Sequence, residues 1–162
     1  MHPSLKRSLV SQRAGRLLLV ACLGLNMIAC QEAARVEKAF TDACWAATDT
    51  LSFSWKKGEV SPHLHLKMQQ DYPYMNLFVQ VQVQSSDQPV QTFLLNNTLV
   101  DPYGRWLLAG DGPTYQADYD LLAGKLADLT SAQPYQISVV QYMREEKLCK
   151  IEQARIVVPQ TP

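Results

Sequence analysis

An alternation of apolar and polar residues between positions 75 and 84, broken at Phe78, is the clearest pattern along the chain. Successive side chains of a β-strand point to opposite faces, so this segment predicts a strand with one buried and one solvated face. The turn residues of SSDQP, at 85–89, and the run at 90–100 predict a returning partner strand. The apolar positions are Met75, Leu77, Val79, Val81 and Val83, and the polar positions are Asn76, Gln80, Gln82 and Gln84.

Shorter strand candidates lie on both sides of this hairpin. About seven or eight strands spaced by turns, without long intervening helices, predict an all-β fold, an antiparallel two-sheet β-sandwich. Residues 118–131, DYDLLAGKLADLTS, are ambiguous, because their leucines also fit a single helical stretch. The additional strand candidates are 51–57, 60–68, 105–109, 115–121, 135–143 and 150–158.

The first 29 residues differ from the rest of the chain in charge. They contain four basic residues and no acidic one, and Arg16 precedes a thirteen-residue, mostly apolar run. Such a run is short for a membrane span and is typical of a signal peptide. It ends in MIAC, where Ala29 precedes Cys30 in the arrangement that lipoprotein signal peptidase processes. We expect Cys30 to carry a diacylglycerol and an N-acyl chain. Acylation at Cys22 and secretion without lipid are the alternatives.

These features divide the chain into three parts. Residues 1–29 are the predicted signal peptide, residues 30–48 a lipidated tether or short helix, and residues 49–162 the β-sandwich domain. The prediction for 30–48 rests on a segment rich in Ala and Glu, with Val36 and Phe40 at helical spacing.

Removal of the signal peptide changes the charge balance. The whole chain has 15 basic and 15 acidic residues, and loss of the four basic ones leaves 11 against 15, a net charge of −4. This balance gives the domain no electrostatic attraction to nucleic acid or anionic lipid. We therefore expect no nucleic-acid partner, and membrane association through the lipid anchor alone.

Cys44 and Cys149 remain once Cys22 has been removed and Cys30 acylated. An even pair of cysteines in an exported chain favours a disulfide. Such a bond would close a loop of about a hundred residues, for which chain entropy gives about 4 to 5 kcal/mol of stabilisation. Two separate buried thiols are the alternative.

The sequence contains no group of residues with the spacing of a known catalytic site. It has no glycine-rich phosphate loop, nucleophile elbow or paired cysteine motif. His63 and His65 share one face of a strand, as two metal ligands would, but no third ligand is evident from spacing. We therefore assign no metal and interpret both histidines as solvated polar residues. We also expect no enzyme activity, no small-molecule substrate and no cofactor other than the lipid at Cys30.

Two short segments carry further candidate residues. Aspartates flank the turns of DPYGRWLLAGDG, at 101–112, where they commonly bond their own backbone, with a calcium site as the alternative. Tyr103 and Trp106 in this segment suit either a sugar-binding platform or a cover over one end of the core. Asp49, Thr50 and Leu51 resemble the acceptor motif for periplasmic O-glycosylation in the Bacteroidetes, which makes Thr50 a candidate acceptor.

Three distinctive segments follow one another along the chain: DYPYMNLFVQVQV, then DPYGRWLLAGDG, then QYMREEKLCKIEQARIVV. Their most particular residues are Tyr72, Pro73, Tyr74, Asn76 and Leu77 in the first; Gly104, Arg105, Trp106, Leu107 and Gly110 in the second; and Gln141, Met143, Arg144, Leu148 and Ile151 in the third. In this order, after a lipoprotein signal, they resemble the gliding motility lipoprotein family GldH. Cys149 and Lys150 depart from the family pattern, so the cysteine pair is a local addition to it.

The resemblance implies a non-enzymatic lipoprotein component of gliding motility, a process that moves cell-surface adhesins and is linked to type IX protein secretion. It implies other envelope proteins as partners, without identifying them. The segment after Cys30 lacks the acidic cluster associated with surface export, which favours anchoring in the outer membrane, facing the periplasm. A carbohydrate-binding envelope lipoprotein and an accessory lipoprotein of another secretion system are the alternatives.

Six residues are candidates for a partner or ligand surface. For Trp106 the alternative is a structural cover over the core, and for Arg144 it is a charge paired with a carboxylate near a sheet end. Pro73 restricts the preceding residue to extended conformations and so directs the chain into the long strand. The six candidates are Tyr72, Tyr74, Tyr103, Arg105, Trp106 and Arg144.

Overall fold

A computed structural model describes residues 34–110 and 112–159 of the chain. Ten strands and two single-turn 3₁₀ segments lie within these residues. The 3₁₀ segments are Thr41–Ala43 and Leu126–Asp128. The strands are β1 (Ala34–Ala39), β2 (Cys44–Ala46), β3 (Leu51–Trp55), β4 (His63–Gln69), β5 (Asn76–Ser85), β6 (Gln88–Thr98), β7 (Thr114–Asp120), β8 (Tyr135–Gln141), β9 (Lys147–Cys149) and β10 (Ile151–Val157).

The strands form two four-stranded sheets and one two-stranded ribbon, all antiparallel. One sheet has the strand order β1-β10-β4-β7, and the other has the order β3-β8-β5-β6. The ribbon pairs β2 with β9. The predicted all-β, antiparallel fold is confirmed, and the ribbon is added to the two expected sheets.

Both four-stranded sheets contribute their apolar faces to a single hydrophobic core. On β5 the predicted alternation is confirmed, since Leu77, Val79 and Val81 are completely buried. The prediction that Met75 lies on the buried face is wrong, because Met75 precedes β5 and is 59% exposed. The largest fully buried side chains of the core are Trp45, Trp55, Tyr135, Leu51, Leu64, Leu66, Met68, Leu77, Leu99, Leu121, Leu122 and Leu129.

The prediction of a tether or short helix over residues 30–48 is wrong for residues 34–46. Residues 34–39 form β1, which pairs with β10, and residues 44–46 form β2. Trp45 is completely buried, and its ring stacks on Phe40 with centroids 5.3 Å apart. The Ala and Glu content favours helix locally, but cross-strand hydrogen bonds and burial of these rings outweigh that weak preference.

Two other segments differ from their predicted structure. Residues 105–109 make only isolated bridges, from Trp106 to Val100 and from Ala109 to Gln116, and form no strand. The leucines of residues 118–131 do not form a helix, because β7 extends to Asp120 and turns follow it. Leu121, Leu122 and Leu129 are instead buried from this irregular segment.

Cys44 and Cys149 form a disulfide, as predicted. The two cysteines are opposite each other in the β2-β9 ribbon, so the bond fastens the ribbon at one end. Lys150 follows with a positive φ of 74°, which ends β9 and lets β10 begin at Ile151 in another sheet.

The predicted signal peptide and the lipidation site, Cys30, lie outside the described residues. Among the residues that the structure describes, no helix has the length and apolar character needed to cross a membrane.

Candidate functional site

A groove of about 450 Å³ is present beside the long β5-β6 hairpin. Side chains from β5, from β6 and from two connecting segments line it, and most of its lining surface is apolar. Exposed apolar concavities of this kind are typical of binding sites. We call it the aromatic groove, and its lining residues are Tyr74, Phe78, Leu94, Tyr142, Met143, Arg144 and Glu145.

The register of the β5-β6 pair places two apolar side chains together on the outer face of the sheet. Phe78 is opposite Asn96, and Gln80 is opposite Leu94, so Phe78 and Leu94 are diagonal neighbours. Phe78 has the outward phase of β5, between Asn76 and Gln80, whereas the residues of the other phase are buried. Leu94 is 49% exposed, and together with Phe78 it forms an apolar patch on this face.

A buried amide shapes the connection between β8 and β9. Gln141 is only 2% exposed, its Nε2 donates to the carbonyl of Glu145 at 2.8 Å, and its Oε1 accepts from the backbone N–H of Met143 at 2.8 Å. The N–H of Tyr142 donates to the carbonyl of Phe78 at 2.8 Å, which attaches the connection to β5. These bonds hold the groove residues of 142–145 in one arrangement.

Tyr74 of the YPYM segment forms one wall of the site, and Tyr72 packs behind it. The hydroxyl of Tyr74 donates to Oε1 of Glu145 at 2.7 Å, and this bond to a carboxylate raises the pKa of Tyr74. Tyr72 is only 4% exposed and packs edge-on against Tyr74, with ring centroids 5.6 Å apart. Burial raises the pKa of Tyr72 strongly. Tyr72 is therefore a support for Tyr74, and a partner would contact Tyr74 itself.

Arg144 lies on the rim of the aromatic groove and is exposed. Within residues 34–110 and 112–159, no carboxylate forms an ion pair with it. Among these residues, the interpretation of Arg144 as a paired structural charge is not confirmed. Together with Glu145 it gives the rim one positive and one negative group, and both can make directional contacts with a ligand.

The remaining predicted surface residues lie in the hairpin that follows β6. Asp101 accepts from the backbone N–H groups of Tyr103 and Arg105, and from Nε of Arg105. These bonds, the Arg105 backbone bond first, lower the pKa of Asp101, as expected for an aspartate that bonds its own turn. Tyr103 is 85% exposed, with the Arg105 guanidinium 5.6 Å from its ring centroid. Trp106 stacks on Tyr115, with ring centroids 5.1 Å apart, and packs against the core as a structural cover would.

The six predicted surface residues thus lie in three different environments. Tyr74 and Arg144 line the aromatic groove, Tyr72 is buried beneath it, and the other three belong to the hairpin. The residues that complete the groove were not predicted from the sequence. For Phe78 a signal was present, since a phenylalanine has the polar phase of the clearest strand. The missed residues are Phe78, Leu94, Tyr142, Met143 and Glu145.

The sheet that carries the groove has no charged residue in any of its four strands. We call it the uncharged sheet. In the other sheet every strand has charged residues, and several of them form ion pairs, such as Lys67 with Glu152 at 2.8 Å. An outer face of amides, hydroxyls and a few apolar groups can be removed from water at a small cost in free energy when its polar groups are hydrogen-bonded in the complex.

The strand β6 forms one edge of the uncharged sheet, with β5 as its neighbour on one side. From Val90 to Thr98 it contains neither a charged residue nor a proline. Exposed edges are commonly protected from further pairing by charges, prolines or short length. The other edge, β3, is shorter, with five residues against eleven for β6. The β6 edge is therefore well suited to the addition of another strand.

Residues 33–158 match the family model described as GldH lipoprotein. The chain belongs to the GldH lipoprotein family. The match covers most of the chain, and it confirms the resemblance that the three sequence segments indicated. No curated protein matches the chain.

In this GldH lipoprotein, two of the three family-like segments meet at the aromatic groove. The first segment supplies Tyr74 and Phe78, and the third supplies Tyr142, Met143 and Arg144. Membership of a lipoprotein family also indicates a membrane-anchored protein of the cell envelope. Thr50, the candidate O-glycosylation acceptor, is exposed directly before β3, a position that an enzyme could reach.

Proposed function

We propose that this GldH lipoprotein is a non-enzymatic component of the bacterial gliding motility machinery that acts by binding another envelope protein. Family membership supports the assignment to gliding. The observation that carries the binding role is the aromatic groove, which lies on the uncharged sheet and includes Leu94 of the β6 edge strand.

The surface fits a particular kind of partner segment. An extended peptide beside β6 would satisfy the unpaired backbone groups of the edge, and a neighbouring apolar side chain would enter the groove. Phe78, Leu94 and Tyr142 would provide the apolar contacts. Arg144 and Glu145 on the rim would fix the direction of the bound segment through one acidic and one basic contact. No small-molecule substrate and no nucleic acid are needed for this role.

The lipid anchor brings this surface close to a membrane. We propose that Cys30 carries the diacylglycerol and N-acyl lipid and that the protein faces the periplasm from the outer membrane. Three residues separate Cys30 from Ala34, the first residue of β1. Even a fully extended chain of this length spans only about 14 Å, so the folded domain would stay at the membrane surface. The partner then also has to reach that surface, as components of an envelope motor and of type IX secretion do.

A genetic test addresses the function as a whole. Deletion of the gene in a gliding source strain should abolish colony spreading, and the wild-type gene should restore it. A Cys30→Ala gene should restore less, because the protein loses its acyl chains and the membrane affinity that each methylene adds, about 0.8 kcal/mol. Secretion of surface adhesins, measured in the same strains, tests the link to type IX secretion. Normal spreading and normal secretion after deletion would reject the proposal.

A further inference from the structure

Three potential metal ligands meet on the outer face of the sheet β1-β10-β4-β7, whereas the aromatic groove lies on the uncharged sheet. His63 and His65 are on β4, and Asp118 is on the neighbouring strand β7. His65 is directly opposite Asp118, and His63 is its diagonal neighbour. All three side chains reach solvent, with exposed fractions of 29%, 36% and 61% in that order. Two cross-strand contacts therefore bring Asp118 beside histidines that are 55 and 53 positions away in the sequence.

The three ligand atoms converge closely. Nδ1 of His63 lies 2.7 Å from Oδ1 of Asp118, and Nε2 of His65 lies 3.4 Å from the same oxygen. One ligand atom from each residue fits within 4.8 Å of the other two. Ligands about 2.0 to 2.1 Å from a tetrahedral zinc ion lie ~3.3 Å from one another. One of the two distances already has this value, and the other needs to open by ~0.6 Å.

We propose that His63, His65 and Asp118 form a binding site for one divalent first-row transition metal ion. Two imidazoles and one carboxylate are ligands that zinc prefers, and three protein ligands leave an outward coordination position for water. This assignment replaces the interpretation of the two histidines as solvated polar residues, since the ligand that spacing did not show is Asp118. It is independent of the aromatic groove and of any role in motility.

The neighbouring charges are compatible with a cation. Asp120 lies opposite His63 and adds a second carboxylate to this end of the sheet. Its Oδ1 accepts from the Ser61 hydroxyl and from the backbone N–H of Leu122, so it is held beside the cluster. Arg155 lies opposite His65 on β10, and its charge is partly offset by Glu37, 3.8 Å away. Lys67 follows His65 on the same face of β4 and pairs with Glu152 at 2.8 Å. Two acidic groups and two basic groups with carboxylate partners thus surround the site.

Isothermal titration calorimetry with zinc chloride tests the site in the purified full chain. Free thiols are alkylated first, because Cys22 and Cys30 would otherwise compete for zinc, while the Cys44–Cys149 disulfide is unaffected. We expect one zinc ion per chain and a rise in melting temperature with zinc. Asp118→Asn, and the double change His63→Ala with His65→Ala, should each weaken binding at least about tenfold.

Glu146→Gln is the matched control, because it removes an exposed carboxylate outside the cluster with the same change in charge. This variant should bind zinc as the wild type does. Absence of saturable binding to the wild type would overturn the proposal. So would equal affinity in the Asp118→Asn and Glu146→Gln variants, which would assign the metal to other ligands. Melting curves without zinc show that each variant is folded.

Discussion

The shape of the aromatic groove depends on a single buried side chain, Gln141. Both ends of its amide are bonded to the backbone of the connection that carries Tyr142, Met143 and Arg144. A buried amide that makes two such bonds stabilises one conformation of the connection, because other conformations would leave its polar atoms unpaired away from water. Gln141 touches no proposed partner, yet it positions the residues that do.

Replacement of Gln141 by Ala should therefore reduce stability and partner binding together. The variant leaves the N–H of Met143 and the carbonyl of Glu145 without their partner, and we expect a loss of about 1 to 3 kcal/mol in the free energy of unfolding. Urea denaturation measures this loss. Gln82→Ala, on the exposed face of β5, is the control and should change stability by less than about 0.5 kcal/mol. Equal effects of the two changes would contradict the structural role of Gln141.

At the scale of elements, the sequence predicted the long hairpin well and the N-terminal segment poorly. The alternation along β5 depends only on local residues, and seven of the eight predicted strand segments correspond to observed strands. The composition of the segment that forms β1 and β2 favours helix. Its strand structure depends on pairing with β10 and β9, which are more than a hundred positions away in the sequence. Asp118 could not be predicted as a metal ligand for the same reason, because only the β4-β7 register brings it beside the two histidines.

Trp45 gives a direct test of the corrected N-terminal structure. Its ring is completely buried, stacks on Phe40, and donates from Nε1 to the carbonyl of Asp49 at 2.7 Å. Trp45→Ala should cost about 3 to 5 kcal/mol in the free energy of unfolding, as expected for a large aromatic residue in a core. If this segment were a flexible tether, Trp45→Ala would leave the free energy of unfolding almost unchanged. Thr48→Ala, at an exposed turn position nearby, is the control and should stay within about 0.5 kcal/mol of the wild type.

The whole molecule has two chemically different faces. One sheet presents charged residues, several of them in ion pairs, and the other presents amides, hydroxyls and the aromatic groove. Sequence analysis detected the family and part of the groove, through Tyr74 and Arg144. It could not detect the difference between the faces, because that difference appears only once the strands are assigned to sheets. The uncharged sheet is the side on which we place the partner.

A pair of lysine substitutions on the uncharged sheet tests whether the aromatic groove is the partner site. Leu94→Lys places a charge in the aromatic groove, whereas Gln84→Lys places the same charge on the same outer face. Gln84 is six residues from Phe78 along β5, or about 20 Å. Both positions are exposed, so both variants should melt close to the wild type.

Colony spreading of the deletion strain, complemented with either gene at equal protein level, is the decisive measurement. We expect the Gln84→Lys gene to restore spreading and the Leu94→Lys gene to fail to restore it. Restoration of full spreading by Leu94→Lys would contradict the groove as the partner site. Equal failure of both variants, with both proteins folded and present in the envelope, would contradict it as well.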